Sequence, residues 1–419
     1  MKNIFTIILM LISYFVIAQE PQTKSVLFLG NSYTHYNGGV EQALKQIATS
    51  KGDAIEVLSN SPGGYTFSNH CTNSTSLNYI ISREWDYVIL QEQSQLPSFP
   101  PAQVENESYP YAAILCDSIK SNSICTTPVF FMTWGRENGD AGNCASYPPL
   151  CTYEGMQWRL RQSYVEMAEL NDGIVSPVGM VWKSIRDNHP TIDLYQSDES
   201  HPSNNGTYLA ACTFYATLFN KSPEGADYPT SITPENAAIL QTAAWAVVND
   251  SLDIWLIDTT TLRVDFQLLQ LTKNVSAYFY NISENADSCY WEFGDGENQW
   301  EYPPFNVLSH SYPDVGEYNI CLTGYKDNGC ISKTICRTEY ISVTGLDNSI
   351  SENSKIYPNP IKDGIIRISN HKEQNYRLYS ADGKLIKQSI IKNNVIDVSG
   401  VNAGVYVLIV GDKTYKVII

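Results

Sequence analysis

VLFLGNSYT, residues 26–34, opens with the apolar run Val26 to Leu29, is stopped by Gly30, and turns polar at Asn31 and Ser32. A short continuous apolar run ended by glycine predicts a strand buried on both faces, the kind found in parallel sheets covered by helices. Outward from it, AIEVLS (54–59), DYVILQ (86–91), TPVFFMTW (127–134) and GIVSPV (173–178) repeat the signal. Helical patterns at 153–170, 205–219 and 234–250 supply the layers between them. The alternation predicts an α/β domain with three layers, α/β/α, around a parallel sheet. Proline-, glycine- and asparagine-rich stretches at 94–110 and 137–152 read as irregular loops bordering a cleft.

Ser32 then falls at the carboxyl end of the first strand, the edge where open α/β sheets bind ligands. Far downstream, residues 198–203 read DESHPS. A serine hydroxyl is a poor nucleophile at neutral pH and needs a base to take its proton and a carboxylate to orient that base. His201 and Asp198, three residues apart, can supply both from one short loop. Val40, Ala43, Leu44, Ile47 and Ala48 have helical spacing, so backbone N–H groups near Ser32 would face developing negative charge. His35 is a rival base, close to Ser32 but with no carboxylate at a matching spacing; His70 and His189 read as hydrogen-bonded structural histidines.

These blocks resemble the SGNH (GDSL-like) hydrolase family, whose first block reads roughly GDS and whose last reads DxxHP. The resemblance runs over residues 24 to 250, within a domain expected to span 24–258. It implies Ser32 as nucleophile, His201 as general base and then acid, and Asp198 as the group orienting His201. It also implies an oxyanion hole from the Ser32 backbone, a glycine of SPGGYTF (Gly63 or, preferably, Gly64), and Gln93 in LQEQS where the family shows asparagine. Asn31 stands where the family has aspartate. Asn31, Gln91, Trp134 and Arg136 are possible substrate contacts, with a structural role for Trp134 and a hydrogen-bonding role for Gln91 as alternatives.

The chain has 419 residues, 43% hydrophobic, enough for several cores. Lys2, the apolar run Ile4 to Ile17 and Ala18 before Gln19 predict a signal peptide over 1–18, with a retained anchor as the alternative. The ten cysteines suit an oxidising compartment; short separations suggest bridges Cys116–Cys125 and Cys144–Cys151. No cysteine or histidine cluster has metal-ligand spacing, so no metal and no cofactor is expected. A net charge of −17 argues against nucleic acid and anionic lipid as partners, and no later segment predicts stable membrane insertion.

From about residue 262 short alternating strands take over. YWEFGDG (290–296) followed by HSYPDVGEYNICL (310–322) resembles a PKD-type β-sandwich over 264–344. Such domains commonly serve as spacers or glycan-surface modules; no aromatic strip tells which, and a spacer is the preferred reading. KIYPNP (355–360), the DGK turn and the GVY strand resemble the type IX secretion sorting domain over 350–419. That resemblance implies the type IX secretion machinery as a partner, passage through periplasm and outer membrane, and a secreted or cell-surface location. The fold expected is thus one α/β/α domain followed by two all-β, sandwich-like domains. The expected function is a secreted serine esterase acting through an acyl-serine intermediate on acylated polysaccharide or a small ester. The alternatives are a lipid esterase or lysophospholipase on the same three residues, or a non-catalytic surface glycan-binding protein.

Overall fold

The computed structural model describes residues 23–269, 276–342, 356–358, 361, 363–368, 374–380, 384–392, 394–410 and 413–419. The predicted signal peptide lies outside the described residues, as do Asn359 and Pro360 of YPNP and Asp382 and Gly383 of the DGK turn. The chain divides into two compact units, Met1–Thr259 and Thr260–Ile419.

The first unit is built on five parallel strands, β1 (Lys24–Leu29), β2 (Ile55–Asn60), β3 (Tyr87–Leu90), β4 (Thr127–Phe131) and β5 (Ile174–Ser176), in the order β2-β1-β3-β4-β5. Among the described residues ten α-helices accompany them: α1 (Ser32–His35), α2 (Val40–Ser50), α3 (Phe67–Thr72), α4 (Ser74–Ile81), α5 (Pro101–Glu107), α6 (Tyr109–Asn122), α7 (Tyr153–Leu170), α8 (Val178–Asn188), α9 (Asn204–Phe219) and α10 (Pro234–Asn249). Because successive strand side chains point to opposite faces, β1 feeds two separate cores. Val26 and Phe28 pack with Val40 and Leu44 of α2, Trp182 of α8, Phe214 of α9 and Leu240 of α10. Leu27 and Leu29 pack with Phe67 of α3, Ile80 of α4, Leu115 of α6 and Met156 of α7. The continuous apolar run is therefore required by burial on both sides, and the layers are α/β/α.

Two expectations fail here. The stretch 94–110 is not irregular: it holds a 3-10 turn, Leu96–Ser98, and α5. Pro101 occupies the first turn of α5, where a missing N–H costs nothing and its fixed φ suits the helix. The Cys116–Cys125 bridge is not formed, because α6 turns Cys116 into the core as a free, buried thiol. Cys144 and Cys151 are bridged, closing the loop before α7.

The second unit is all antiparallel β. Strands β6 (Phe266–Leu269), β7 (Ser276–Asn281), β8 (Ser288–Glu292), β9 (Asn298–Glu301), β10 (Val307–Ser311), β11 (Gly316–Lys326) and β12 (Ile331–Ile341) form two sheets, β10-β7-β6 and β12-β11-β8-β9. Phe266, Phe279, Trp291, Ile320 and Leu322 fill the space between them. The GDG of WEFGDG forms a turn whose Asp295 carboxylate meets His310 Nε2 at 2.7 Å, and His310 lies flat on Phe293. The remaining strands, β13 (Ile356–Tyr357), β14 (Ile365–Ile368), β15 (Asn375–Ser380), β16 (Leu385–Ile390), β17 (Val395–Asp397), β18 (Val405–Val410) and β19 (Lys413–Ile418), pair as β13-β14-β17 and β16-β15-β18-β19. They enclose a core of their own around Ile366, Leu378, Ile396 and Leu408.

Candidate active site

Strand β1 ends inside the sheet, between β2 and β3, and the chain turns at once into the single-turn helix α1. Gly30 is required at that turn, since a Cβ there would lie 2.4 Å from Thr34 Oγ1 and 2.7 Å from Gln91 Oε1. Asn31 caps the helix: its Oδ1 accepts from Tyr33 N–H at 3.1 Å, while its Nδ2 donates to the carbonyls of Tyr65 (2.9 Å) and Glu92 (3.4 Å). One buried side chain thus ties together the loops that follow β1, β2 and β3. Ser32 is the first residue of α1.

The partner loop lies between α8 and α9. Asp198 folds it on itself, with Oδ1 accepting the N–H groups of Ser200 (3.1 Å) and His201 (2.9 Å). Its Oδ2 lies 2.5 Å from His201 Nδ1, and His201 Nε2 lies 2.9 Å from Ser32 Oγ. Burial alone would raise the Asp198 carboxyl, but the ring of His201 and the two backbone donors outweigh it and hold it below its ordinary value. An ionised Asp198 makes Nδ1 the donor, leaving Nε2 free to accept the Ser32 proton. Such an arrangement can generate a serine alkoxide equivalent and shelter the imidazolium that results.

An aromatic column supports the loop. Trp182 stacks on Trp134 (3.9 Å between ring centres), and Trp134 stacks on Tyr33 (4.6 Å). Trp134 Nε1 donates to the Ser200 carbonyl at 3.0 Å, and the Tyr33 hydroxyl lies 2.6 Å from Ser200 Oγ. Tyr36, the residue following α1, lies over the His201 ring at 4.3 Å. Trp134 is fully buried, so it supports the loop from below and does not wall a pocket. Gln91 is also fully buried: its Oε1 accepts from Asn31 N–H and Thr34 Oγ1, each at 2.9 Å. The substrate contact considered for Asn31 and Gln91 gives way to internal hydrogen bonding, because a buried amide must be satisfied by the protein itself. Arg136 remains partly exposed and pairs with Asp140 at 3.6 Å.

Of the three donors expected to face an oxyanion, the Ser32 backbone sits at the start of α1 and Gly64 sits in the Pro62–Tyr65 turn with φ +74° and open space at its Cβ position. Gln93 uses its Oε1 to accept from Gln95 N–H and Leu96 N–H, and its Nε2 makes a 3.3 Å contact with Ser94 Oγ. His35 does not face Ser32 Oγ in place of His201. It lines a cavity of about 590 Å³ with Glu41, Gln42, Ser59, Asn60 and Ser61, between α1 and the carboxyl end of β2.

Two buried groups brace the strand ends at this edge: His70, read from the sequence as a hydrogen-bonded histidine, and Glu92, which sequence reasoning passed over. His70 sets Nε2 2.9 Å from the Gly30 carbonyl and Nδ1 2.7 Å from Ser76 Oγ, pinning the end of β1; burial pushes its pKa down. Glu92 is fully buried; Oε1 accepts from Phe67 N–H (2.9 Å) and Gln93 N–H (2.7 Å), and Oε2 from Ser108 Oγ (2.9 Å). Burial raises this carboxyl, and although its hydrogen bonds pull it back it stands at about 7. The charged letter in the otherwise amide-rich LQEQS is the one sequence signal that pointed to it.

Residues 355–419 match the family model of the secretion system C-terminal sorting domain, which marks the chain for export to the cell surface or the extracellular space. No curated protein matches the sequence. Among solved structures, a DUF4886 family protein from Bacteroides uniformis ATCC 8492 is similar at 20% identity and TM-score 0.47, over 55% of this chain and 96% of that one. A putative SGNH hydrolase from Slackia heliotrinireducens is similar at 22% identity and TM-score 0.39, over 47% and 100%. The PKD1 domain of Vibrio anguillarum Epp is similar at 28% identity and TM-score 0.18, over 20% and 99%.

Proposed function

We propose that this chain is an exported serine esterase that removes O-acetyl or other short acyl groups from extracellular carbohydrate. The observation that carries the reading is the unbroken line of contacts from Asp198 Oδ2 through the His201 ring to Ser32 Oγ. In the first half-reaction Ser32 Oγ attacks the ester carbonyl carbon as its proton passes to His201 Nε2. The tetrahedral oxyanion is met by the Ser32 and Gly64 N–H groups and the Gln93 amide. Collapse breaks the bond to the alcohol oxygen, which leaves with the proton from His201, and the acyl group stays on Ser32. In the second half a water gives its proton to His201 Nε2 and attacks the acyl carbon. Its collapse releases the carboxylic acid and returns the proton to Ser32. Asp198 stabilises the imidazolium in both halves and holds the ring in the tautomer that leaves Nε2 free.

The carbohydrate assignment is supported by the cavity that His35, three residues after Ser32, helps to line. Ser59, Ser61, Asn60, Gln42, His35 and Glu41 offer it hydroxyl, amide, imidazole and carboxyl groups as partners for a hydroxyl-rich acceptor, beside the apolar Val57, Leu58 and Pro62. The test is hydrolysis of p-nitrophenyl acetate and its longer-chain analogues by the full chain and by Ser32→Ala. Turnover that favours acetate and vanishes in the variant is expected. Preference for long chains would move the substrate to lipids, and equal rates in both proteins would remove Ser32 from the chemistry and favour a binding protein.

A further inference from the structure

The four-stranded sheet β12-β11-β8-β9 has one face in the sandwich core and one face in solvent, and side-chain alternation assigns Trp291 and Leu322 to the first and Tyr290 and Thr323 to the second. Across the solvent face the pairing register aligns Thr334, Thr323, Tyr290 and Trp300 in one row. The adjacent row holds Ser332, Tyr325 and Ser288, and Tyr302 lies two residues beyond Trp300. The aromatic rings gather around Trp300, with Tyr290 at 4.9 Å, Tyr325 at 5.3 Å and Tyr302 at 6.4 Å between centres, Tyr302 within 20° of coplanar. Trp300 is 48% and Tyr302 63% exposed, so both side chains can be reached from solvent. These residues come from three strands and the loop after one of them, which is why no aromatic strip is legible along the chain.

We propose that this face binds an uncharged polysaccharide, stacking sugar rings on Trp300 and Tyr302 while the flanking tyrosine, serine and threonine hydroxyls bond the sugar hydroxyls. Three observations select that ligand. The two rows carry no Lys, Arg, Asp or Glu, in a chain of net charge −17, so a phosphate backbone finds nothing to neutralise it there. A lipid or apolar peptide would cover the rings but bury the tyrosine and serine hydroxyls beside them without a partner. A sugar ring has an apolar C–H face and a polar rim, and so matches both parts. The surface is also held in shape: the Cys321–Cys336 bridge clamps β11 to β12 on this same face, and Thr323 Oγ1 lies 2.8 Å from Thr334 Oγ1. A site that is ordered before binding loses less on association. The proposal stands apart from the Ser32 chemistry, so either can fail alone.

The test is depletion of the full-length protein from solution by insoluble xylan, cellulose, chitin and curdlan. Binding to at least one is expected, weakened at least tenfold by the double variant Trp300→Ala and Tyr302→Ala. Turnover of p-nitrophenyl acetate should be unchanged in that variant, and an unchanged far-UV circular dichroism spectrum and urea-unfolding profile report that the second unit remains folded. Trp158→Ala removes an equally exposed tryptophan from the first unit and should leave binding as in wild type. Binding to none of the four, or binding that the double variant leaves intact, overturns the proposal. Capture on gelatin instead, lost in the double variant, would reassign the face to protein.

Discussion

Replacing Glu92 by glutamine should make the first unit more resistant to unfolding at neutral pH than the wild-type chain. The folded carboxyl stands at about 7 and its ordinary value is 4.5. Below 4.5 the group is protonated whether folded or not, and the buried neutral acid costs nothing extra. Between 4.5 and about 7 the folded protein keeps a proton that the unfolded chain has released, so stability falls as pH rises through that window and levels off above it. The gap corresponds to about 3 kcal/mol by pH 8. Glutamine is neutral throughout. Its oxygen can keep the N–H groups of Phe67 and Gln93, its NH₂ can donate to Ser108 Oγ, and the Ser108 hydroxyl can turn to Met167 Sδ, 3.6 Å away. The assay is urea unfolding of the full chain followed by tryptophan fluorescence, because six of the eight tryptophans precede residue 260. The variant should gain about 3 kcal/mol on wild type between pH 4.5 and pH 8. A difference that stays constant within about 1 kcal/mol across that range would refute the reasoning, since it would place no titrating proton at residue 92.

Asp198→Asn should leave p-nitrophenyl acetate binding near wild type while lowering turnover about 10³- to 10⁴-fold, because an amide cannot hold His201 in the required tautomer or stabilise its cation; steady-state kinetics giving near wild-type kcat would take Asp198 out of the mechanism. Gly30→Ala places a methyl group 2.4 Å from Thr34 Oγ1 and 2.7 Å from Gln91 Oε1. It should cost about 1–3 kcal/mol and lower kcat by displacing Ser32. An unchanged melting temperature together with unchanged kcat would show that the turn can yield.

The strands of the first unit were readable because burial on both faces demands apolar runs, and the helix over 204–219 was readable because nearly all of it is buried. Asp198 and His201 were readable together because their contact is local, three residues apart on one turn. Gln91, Asn31 and Trp134 were seen as polar or aromatic residues at the right sheet edge, yet their direction was not legible. A side chain at a strand end can face substrate or the neighbouring loop with the same sequence around it. Segment 94–110 misled because proline reads as a breaker, although at the first turn of a helix it is a favourable residue. Cys116 misled because nearness in sequence says nothing about which side of α6 the thiol occupies.

By itself, the sequence determined the layers, the burial on both faces of the apolar strand that leads to Ser32, and the Asp198–His201 turn, all of which depend on periodicity or on contacts a few residues long. Only the tertiary structure decided what faces what across long separations. It set His201 against Ser32 over 169 residues, stacked Trp182, Trp134 and Tyr33 beneath that contact, buried Glu92 behind the neighbouring loop, and gathered Tyr290, Trp300 and Tyr325 from three strands onto one exposed face. Each of these is a relation between distant segments, and strand order, register and helix packing alone bring such segments together.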